Sequence, residues 1–367
     1  MAAPQVAFDI TPLQNAHQYR GIGTYVRGLA RRLSAQSDIP IEFWGWSGDF
    51  GIEVPPPHRA LSLRKIPMPQ YRGAWIVGQL AMRRRARRSD VKVVHITDPD
   101  ALTALANRRL LTTVYDLIPL KQRRTSKRVL ANAGYDSYLK SLRLADRLFA
   151  ISQQTAGDLI ELLRLPASRI VVARPGVDPP PTPPQVVPRA KRYFLYIGGP
   201  NPNKNLGVIL DALDKCTDLH EELLIGGHWL TKQVGQLVAQ VAAGSLKGRV
   251  RHIGFVPALE LPGLMRGATA LIIPSLHEGF GLPVAEGLAA GAAVIHSDLP
   301  VLSETSAGAA LTFDPRSAAE LAAAMRSIAG DRALATKLRK RGLQRAKSLT
   351  WDSAVEATLA VYRTALS

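Results

Sequence analysis

The stretch HEGFGLPVAEGLAAGAAVIHSD, residues 277–298, lies inside one strand–helix–strand unit of the chain. The run before it, ATALIIPS (268–275), is short and apolar, as is AAVIHS (292–297) at its end, and both are typical of buried strands. Between them, Pro283 suits the first turn of a helix, which the following alanine-rich residues continue. This order of elements predicts a parallel β-sheet covered by helices.

Two glutamates, Glu278 and Glu286, stand eight positions apart in this stretch. Gly279, Phe280 and Gly281 precede the helix, so their backbone N–H groups have no helical partner and can bind an anion. Glu286 is then well placed to accept hydrogen bonds from vicinal hydroxyls, such as those of a ribose. The alternative is that Glu286 only complements the helix dipole and Glu278 only caps a loop.

The same alternation of strands and helices fills both halves of the chain, on either side of PPPTPPQVVP (179–188). Six prolines in ten residues exclude a strand or helix interior, so this segment predicts a stiff linker. We expect two α/β domains of Rossmann-like type with ligands at the carboxyl ends of their strands. The predicted bounds are an N-terminal domain at 1–178, a linker at 179–192, a C-terminal domain at 193–349 and a final helix at 350–367, which we expect to pack back on the N-terminal domain.

Composition narrows the class of protein. The chain has 367 residues and a net charge of +18, of which +13 falls on residues 1–178, so a polyanionic partner is expected there. The start of the chain does not look like a signal peptide, and no apolar run is long enough to span a membrane. Cys216 is the single cysteine, which suits a reducing compartment. We therefore expect a cytoplasmic protein, peripheral at the membrane at most.

A second candidate site segment is YIGGPNPNKNL, residues 196–206. It reads as a strand end, a glycine turn and then Lys204 just before a helix. A lysine at the end of a strand can neutralise a diphosphate, although exposed lysines are common on protein surfaces.

These segments together resemble the retaining, nucleotide-sugar-dependent glycosyltransferases of family 4, which have the two-domain GT-B fold. The resemblance rests on HEGFGLPVAEGLAAGAAVI, which contains the family's two spaced glutamates, and on four further segments in the family's order: GIGTYVRGLARRL (21–33), VYDLIPL (114–120), YIGGPNPNKNL and LTWDSAVEATLAVYR (349–363). It implies two Rossmann-like domains whose parallel sheets face each other across a deep cleft.

The resemblance also implies roles for individual residues. Glu278 would contact the donor sugar near the reacting carbon, with Tyr115 and Asp116 as the other catalytic positions. The nucleotide-sugar donor would be bound by Gly21, Gly23, Lys204, Asn205, Gly279, Phe280, Gly281, Leu282 and Glu286, with Glu286 on the ribose and Lys204 on the diphosphate. No cofactor and no metal are implied, since amides and a lysine can stabilise a diphosphate leaving group.

Two positions depart from the family pattern. Many members carry histidine where this chain has Tyr115, which leaves the donor-sugar contact there open. Many also carry arginine where this chain has Gly199, so one positive charge near the diphosphate is missing unless another residue such as Arg251 replaces it.

The expected activity is transfer of a hexose to a saccharide or lipid-linked acceptor in the synthesis of surface polysaccharide or glycolipid. Among family members, the motifs most resemble bacterial mannosyltransferases, which favours GDP-mannose as the donor. A UDP-sugar-dependent glucosyl-, galactosyl- or N-acetylglucosaminyltransferase is the alternative. A nucleotide-sugar-binding protein without catalysis, or a basic protein that binds membrane or nucleic acid, is the alternative from another class.

Other patterns are less informative. The run RRRARR (Arg83–Arg88) predicts a peripheral contact with anionic membrane, although a solvated basic surface is equally compatible. A nucleic-acid partner is not expected, because aromatic residues are few and no recognition motif is present. The triplet Asp98–Pro99–Asp100 matches a metal-binding pattern, but we interpret it as a proline turn.

Overall fold

The computed structural model describes residues 5–15, 17–18, 20–46, 60–63, 84, 89–99, 108–125, 133–180, 191–242 and 244–367. The chain forms two compact units: unit 1 comprises Met1–Gly176 and Trp351–Ser367, and unit 2 comprises Val177–Thr350. Of the predicted linker, residues 181–190 lie outside the described part of the chain, as does the basic run at 83–88 except for Arg84.

Unit 1 is built on a sheet of parallel strands. In chain order they are β1 (Val6–Asp9), β2 (Ile41–Trp46), β3 (Ala60–Leu63), β4 (Val93–Ile96), β5 (Arg109–Val114), β6 (Arg147–Ala150) and β7 (Ile170–Val172). Their spatial order is β3-β2-β1-β4-β5-β6-β7. The order changes direction between β1 and β4, which is the kind of point where open parallel sheets bind ligands.

The described helices of the N-terminal part of unit 1 are α1 (Gly21–Gln36), α2 (Ile118–Thr125), α3 (Ala133–Leu144) and α4 (Gln153–Leu163). Helix α1 buries Tyr25, Val26, Leu29 and Leu33 and leaves Arg27 exposed, as its apolar spacing predicts. Short 3₁₀ turns at Thr11–Gln14 and Ala167–Arg169 complete the unit.

Unit 2 repeats the architecture with strands β8 (Tyr193–Ile197), β9 (Glu222–Gly226), β10 (Val250–Gly254), β11 (Ala270–Ile273), β12 (Val294–Ser297) and β13 (Leu311–Phe313). These strands are parallel and lie in the order β10-β9-β8-β11-β12-β13. Its helices are α5 (Leu206–Lys215), α6 (Thr231–Ala242), α7 (Leu261–Gly267), α8 (Leu282–Ala290), α9 (Pro300–Ser306), α10 (Ala318–Gly330) and α11 (Arg332–Ala346). A 3₁₀ turn at Pro202–Lys204 precedes α5.

Both faces of the unit 2 sheet are buried. Phe194 and Tyr196 of β8 pack into one apolar cluster, while Tyr193 and Leu195 pack into the cluster on the opposite face. Because side chains of a strand alternate between faces, a doubly covered strand must be apolar throughout. This explains why the central strands β8 and β11 read as continuous apolar runs.

The final helix, α12 (Asp352–Leu366), belongs to unit 1. The ring of Trp351 lies against Gly28 of α1, where a Cβ would overlap the indole. Deeper in the unit, the Tyr362 hydroxyl lies 2.7 Å from His95 Nδ1, and His95 Nε2 lies 2.9 Å from Thr113 Oγ1. The last helix is therefore part of the core of unit 1.

The predicted α/β class with two sheets of parallel strands is confirmed. Among the described residues, no helix combines the length and apolar character needed to cross a membrane.

Candidate functional site

In unit 2 the strand order changes direction between β8 and β11, so the loops that follow these strands are neighbours at the carboxyl edge of the sheet. Lys204 lies in the loop after β8 and Glu278 in the loop after β11. Lys204 Nζ is 2.6 Å from Glu278 Oε1, and Ser275 Oγ donates to the same oxygen at 2.7 Å. Two charged residues that are 74 positions apart in the sequence thus form one ion pair at the switch point.

The ion pair leaves one carboxylate oxygen unused. Within the described part of the chain, no hydrogen bond reaches Glu278 Oε2. The side chain of Lys204 is 35% exposed and that of Glu278 is 12% exposed, so the ammonium group can reach an incoming anion from the solvent side. The Glu278 charge also adds to burial in raising the pKa of Tyr196.

Asn205 holds the loop that carries Lys204. Its backbone is left-handed, with φ at +51°, and its side-chain Nδ2 donates to Pro274 O at 3.0 Å and to Pro315 O at 2.8 Å. Because both Nδ2 protons are used by the protein, the structure gives Asn205 a role in joining loops. The donor contact predicted for Asn205 would have to use its other atoms.

Helix α8 begins directly beside the ion pair. Gly281 adopts φ of +91° at the start of the helix, and its carbonyl accepts the first bonds, from Val284 and Ala285. A side chain at this glycine would be strained and would overlap Leu302. In the described structure no hydrogen bond is made by the backbone N–H groups of Phe280, Gly281 and Leu282. This helix terminus therefore offers free donors, as an anion site requires.

The Phe280 backbone is held in place by its own buried side chain and by Thr305. Its side chain is buried, and its carbonyl accepts a hydrogen bond of 2.6 Å from Thr305 Oγ1. Gly279 precedes it in the same loop. The free N–H groups that follow are therefore held on a rigid turn, which favours binding without prior rearrangement.

Glu286 lies one turn into α8, and no hydrogen bond or ion pair to its carboxyl occurs among the described residues. Its side chain keeps partial contact with solvent, but burial around the carboxyl raises its pKa to about 7. A carboxyl without partners in an apolar setting is destabilised when ionised, and hydroxyl donors from a ligand would relieve that cost.

The expectation for Arg251 is wrong. Its guanidinium donates to Glu222 Oε1 at 2.8 Å, and Glu222 is the first residue of β9, at the edge of the sheet opposite the ion pair. Gly199, after β8, has no atom within 4 Å of the position that a Cβ would take. No described residue of unit 2 therefore requires glycine at 199, and Arg251 does not supply the missing charge there.

In unit 1, Tyr115 and Asp116 follow β5 at the carboxyl edge of the sheet. Tyr115 is only 6% exposed, packs edge-on against Tyr25, and its hydroxyl has no hydrogen-bond partner within the described residues. Burial, with nearby tyrosine and aspartate charges, raises its pKa well above the usual value. Asp116 Oδ1 accepts the Ile118 N–H at 2.9 Å at the start of α2. Tyr115 thus remains a neutral hydrogen-bond donor.

Gly21 and Gly23 form the first turn of α1. A Cβ on Gly23 would lie 2.6 Å from Gln18 O, and the Gly23 N–H donates to His17 O at 3.1 Å. In unit 1, the absence of a side chain at Gly23 therefore allows the carbonyl groups of the preceding loop to lie close to the helix. Gly21 is exposed.

Two features of the site edges were missed in the sequence. The sequence pattern places Ser275 at the end of a strand and does not indicate that its hydroxyl orients Glu278. Asp9 is buried at the end of β1, where burial raises its pKa while its hydrogen-bond donors oppose that change. Asp98 is also buried, whereas Asp100 lies outside the described residues.

Within the described ranges, no group of three metal-binding side chains is found.

Two family models match the chain. "Glycosyltransferase Family 4" matches residues 19–180, and "Glycosyl transferases group 1" matches residues 182–345. Between them they span most of both units and leave out residues 1–18 and the final helix α12.

Individual proteins agree with these matches. O-antigen chain mannosyltransferase B of Escherichia coli is 31% identical over 242 residues, which are 61% of this chain and 62% of that protein. Sucrose-phosphate synthase from Thermosynechococcus elongatus superposes with a TM-score of 0.80 over 98% of both chains at 20% identity. The structure of the Anabaena protein HepE, solved with UDP and glucose, superposes with a TM-score of 0.76 at 16% identity. The superposition covers 98% of this chain and all of that one. The chain belongs to the group 1, family 4 glycosyltransferases, with the GT-B fold.

Proposed function

We propose that this protein is a retaining hexosyltransferase that moves mannose from GDP-mannose to a saccharide or lipid-linked acceptor in surface polysaccharide or glycolipid synthesis. The alternative is a UDP-sugar-dependent transferase of the same type.

The observation that supports the proposal most is the set of groups that converge at the edge of unit 2. These groups follow neighbouring strands or lie in the same helix. They are a partly exposed ammonium group, a carboxylate with one oxygen that no described residue uses, and three N–H groups and one carboxyl that have no hydrogen-bond partner among the described residues. The ammonium and the N–H groups are complementary to a diphosphate, the carboxylate with the unused oxygen to a sugar hydroxyl, and the last carboxyl to the two hydroxyls of a ribose. We assign them to Lys204, Glu278, Phe280–Leu282 and Glu286.

In the proposed reaction, the acceptor hydroxyl oxygen forms a bond to the anomeric carbon as the bond from that carbon to the diphosphate oxygen breaks. The acceptor's proton passes to the departing diphosphate oxygen on the same face of the sugar, so configuration is retained. The main catalytic requirement is then to stabilise negative charge on the leaving group. The Lys204 ammonium and the N–H groups of Gly281 and Leu282 are suited to this, because fixed donors stabilise developing charge without reorganisation.

This use of Lys204 requires the ion pair with Glu278 to loosen. Since the ammonium is partly exposed, the diphosphate can replace Glu278 as its counter-ion. The bond from Ser275 would keep Glu278 in place meanwhile, with Oε2 directed to the sugar. Reaction by these residues needs no metal ion and no cofactor.

The choice of mannose and GDP rests on the mannosyltransferase relative, and the UDP alternative on the likeness to HepE. A binding assay distinguishes the two donors. The purified protein should be heated with GDP-, UDP-, ADP- and dTDP-sugars in parallel. A donor at a hundred times its dissociation constant adds about 2.7 kcal/mol, which corresponds to a shift of several degrees.

Glu286→Ala should lose this shift, whereas Glu356→Ala, which removes an exposed carboxyl from α12, should keep it. Donors that shift the wild type are then incubated with lipid-linked and free saccharides, and products are analysed by mass spectrometry. A shift without any product would indicate a sugar-nucleotide-binding protein. No shift with any nucleotide would refute the proposed donor site.

Gly199→Arg tests the geometry near the diphosphate through an expected gain of donor affinity instead of a loss. The open space at 199 should accept the larger side chain, and an added guanidinium near a diphosphate should tighten donor binding about tenfold. Unchanged affinity in a folded variant would show that this position does not face the diphosphate.

For location, we propose a cytoplasmic protein that contacts anionic membrane through the basic run at residues 83–88. The support is the charge of that run alone. Co-sedimentation with vesicles of neutral lipid, and with vesicles containing phosphatidylglycerol, checks it. Equal binding to both would contradict it.

A further inference from the structure

Helix α9 contacts the turn that begins α8, and its residue Thr305 donates a hydrogen bond to that turn. Thr305 is 1% exposed, and its hydroxyl lies 2.6 Å from Phe280 O and 3.0 Å from Val301 O in α9 itself. A hydroxyl has one proton, so the two carbonyls share it, and the shorter distance is to Phe280. Among the described residues no other donor reaches Phe280 O. The turn's carbonyl is therefore held by this one side chain.

The hydrogen bond fixes the orientation of a whole peptide unit. The Phe280 carbonyl and the Gly281 N–H belong to the same peptide, and in a planar trans peptide these two groups point in opposite directions. Because the carbonyl is directed to Thr305, the Gly281 N–H is directed away from α9. This N–H is one of the donors that we assign to the diphosphate, and no described residue accepts from it.

Gly281 does not select this orientation by itself. Its φ is +91°, but a residue without a side chain adopts negative φ as readily, and that change would turn the N–H of the preceding peptide round. Glycine is nevertheless required here, because a Cβ would overlap Leu302 of α9. The turn thus has two accessible peptide orientations, and the Thr305 hydroxyl stabilises one of them.

Helix α9 is in turn held by α11. Arg345 Nε donates to Thr305 O at 2.9 Å, and Arg345 Nη2 donates to Glu304 O at 2.8 Å. Both carbonyls lie in the last turn of α9, where helix carbonyls have no partner within the helix. A planar guanidinium can satisfy two such carbonyls at once. Arg345 therefore fixes the backbone that carries the Thr305 hydroxyl.

We propose that Thr305 is a positioning residue for the proposed transfer: its hydroxyl selects the peptide orientation in which the Gly281 N–H faces the leaving diphosphate. This inference rests on the proposed function. Because Thr305 is buried and its proton is used by the protein, it acts through the Gly281 amide and not by contact with the donor. Every residue involved lies in unit 2.

Thr305→Val and Thr305→Ser separate the role of the hydroxyl from that of the methyl group. Valine keeps the shape of threonine and removes the proton, whereas serine keeps the proton. We expect Thr305→Val to lower kcat about tenfold, with the donor KM changed by less than about threefold, because a fixed N–H acts mainly on the charge that develops in the transition state. Thr305→Ser should keep the kcat of the wild type.

Thr358→Val is the matched control. Thr358 is also buried and also donates to a carbonyl of its own helix, at 2.7 Å to Ala354 O, but within the described residues its hydroxyl reaches no second carbonyl. The two valine variants therefore remove the same kind of bond inside a helix, and only Thr305→Val also releases the turn. Thr358→Val should keep the kcat of the wild type.

The carbonyl carbon of Phe280 reports the hydrogen bond without any activity. Protein labelled with ¹³C at phenylalanine carbonyls and ¹⁵N at glycine gives correlations only for Phe–Gly pairs, which the chain has at 50–51 and 280–281. Phe50→Leu removes one signal and so assigns the other to Phe280. Loss of a hydrogen bond moves a carbonyl carbon to lower frequency, so Thr305→Val should move the Phe280 signal in that direction. Thr305→Ser and Thr358→Val should not move it.

Arg345→Met is the second variant should Thr305→Val fail to fold. It releases the end of α9 without touching the Thr305 hydroxyl, and it should lower kcat and move the Phe280 signal in the same direction. Wild-type kcat or an unmoved Phe280 signal in the folded variant would overturn the proposal, as would an equal loss of kcat in Thr305→Ser.

A wild-type protein that transfers no sugar would instead refute the proposed function, and with it any role of Thr305 in transfer. The Phe280 signal would still decide whether Thr305 orients the peptide.

Discussion

The carboxyl of Glu286 should release a proton when the donor binds. In the free protein its pKa is about 7, because burial opposes ionisation and no described residue donates to it. Two ribose hydroxyls donating to the ionised form would move the pKa well below 6. The bound proton is then lost to the buffer, in an amount equal to the protonated fraction of the free carboxyl. That amounts to about 0.9 proton at pH 6, 0.5 at pH 7 and 0.1 at pH 8.

The same linkage makes donor affinity depend on pH. Below its pKa the free site must first lose a proton, so affinity should be about tenfold weaker at pH 6 than at pH 8. The assay is isothermal titration calorimetry with an intact nucleotide sugar in buffers of different ionisation enthalpy. A nucleotide sugar is preferable to a free nucleoside diphosphate, because it has no terminal phosphate that titrates near neutrality.

Glu286→Gln supplies the control, since the amide keeps an acceptor oxygen but cannot release a proton. It should bind the donor with no proton release and with an affinity independent of pH between 6 and 8. Wild-type protein that binds the donor at pH 6 without releasing a proton would refute the reasoning. Either the free carboxyl would already be ionised, or the ribose would not bind there.

Three further changes test other parts of the structure. Ser275→Ala removes one of the two bonds that orient Glu278 and should lower turnover about tenfold, as expected for a lost bond to a charged group; steady-state kinetics that match the wild type would refute the orienting role. His95 is fully buried and its pKa is lowered to about 3, so the stability it contributes is complete above pH 6.5 and falls with pH, by about 2 kcal/mol at pH 5. Urea unfolding between pH 5 and 7.5 measures this. The free energy of unfolding of the wild type should fall more steeply with decreasing pH than that of His95→Gln. Gly28→Ala places a methyl group against the Trp351 ring and should cost about 1–3 kcal/mol, whereas Gly157→Ala, in open space within α4, should stabilise by about 0.5–1 kcal/mol; equal thermal midpoints for the two variants would contradict the packing argument.

The parallel sheets could be predicted because doubly covered strands must be apolar along their whole length. This applies to β8 and β11, whose side chains pack on both faces of the sheet. Strand β2 was not predicted, since Glu42 and Gly45 interrupt its apolar run. The structure buries Glu42 with its Oε2 accepting a hydrogen bond of 2.9 Å from Trp44 Nε1. A partner two residues away on the same face of a strand is not visible in a pattern of apolar residues.

Part of the candidate site could also be predicted from the sequence. The glycines and Pro283 around the start of α8 have local conformational causes, so the helix terminus could be placed from its own residues. The partner of Arg251 could not be predicted from the sequence, because its pairing with Glu222 depends on the register of β9 and β10.

What the sequence determined by itself is therefore local: the α/β alternation, the helix start beside Glu278 and the family that these motifs indicate. These depend on residues within a few positions of one another, whose backbone preferences and apolar spacing are encoded directly. Only the tertiary structure decided that Ser275 and Lys204 share one oxygen of Glu278, that no described residue pairs with the Glu286 carboxyl, and that Asp9 joins the loops after β1 and β4. Each of these depends on which strands become neighbours, and strand order is set by the packing of the whole unit.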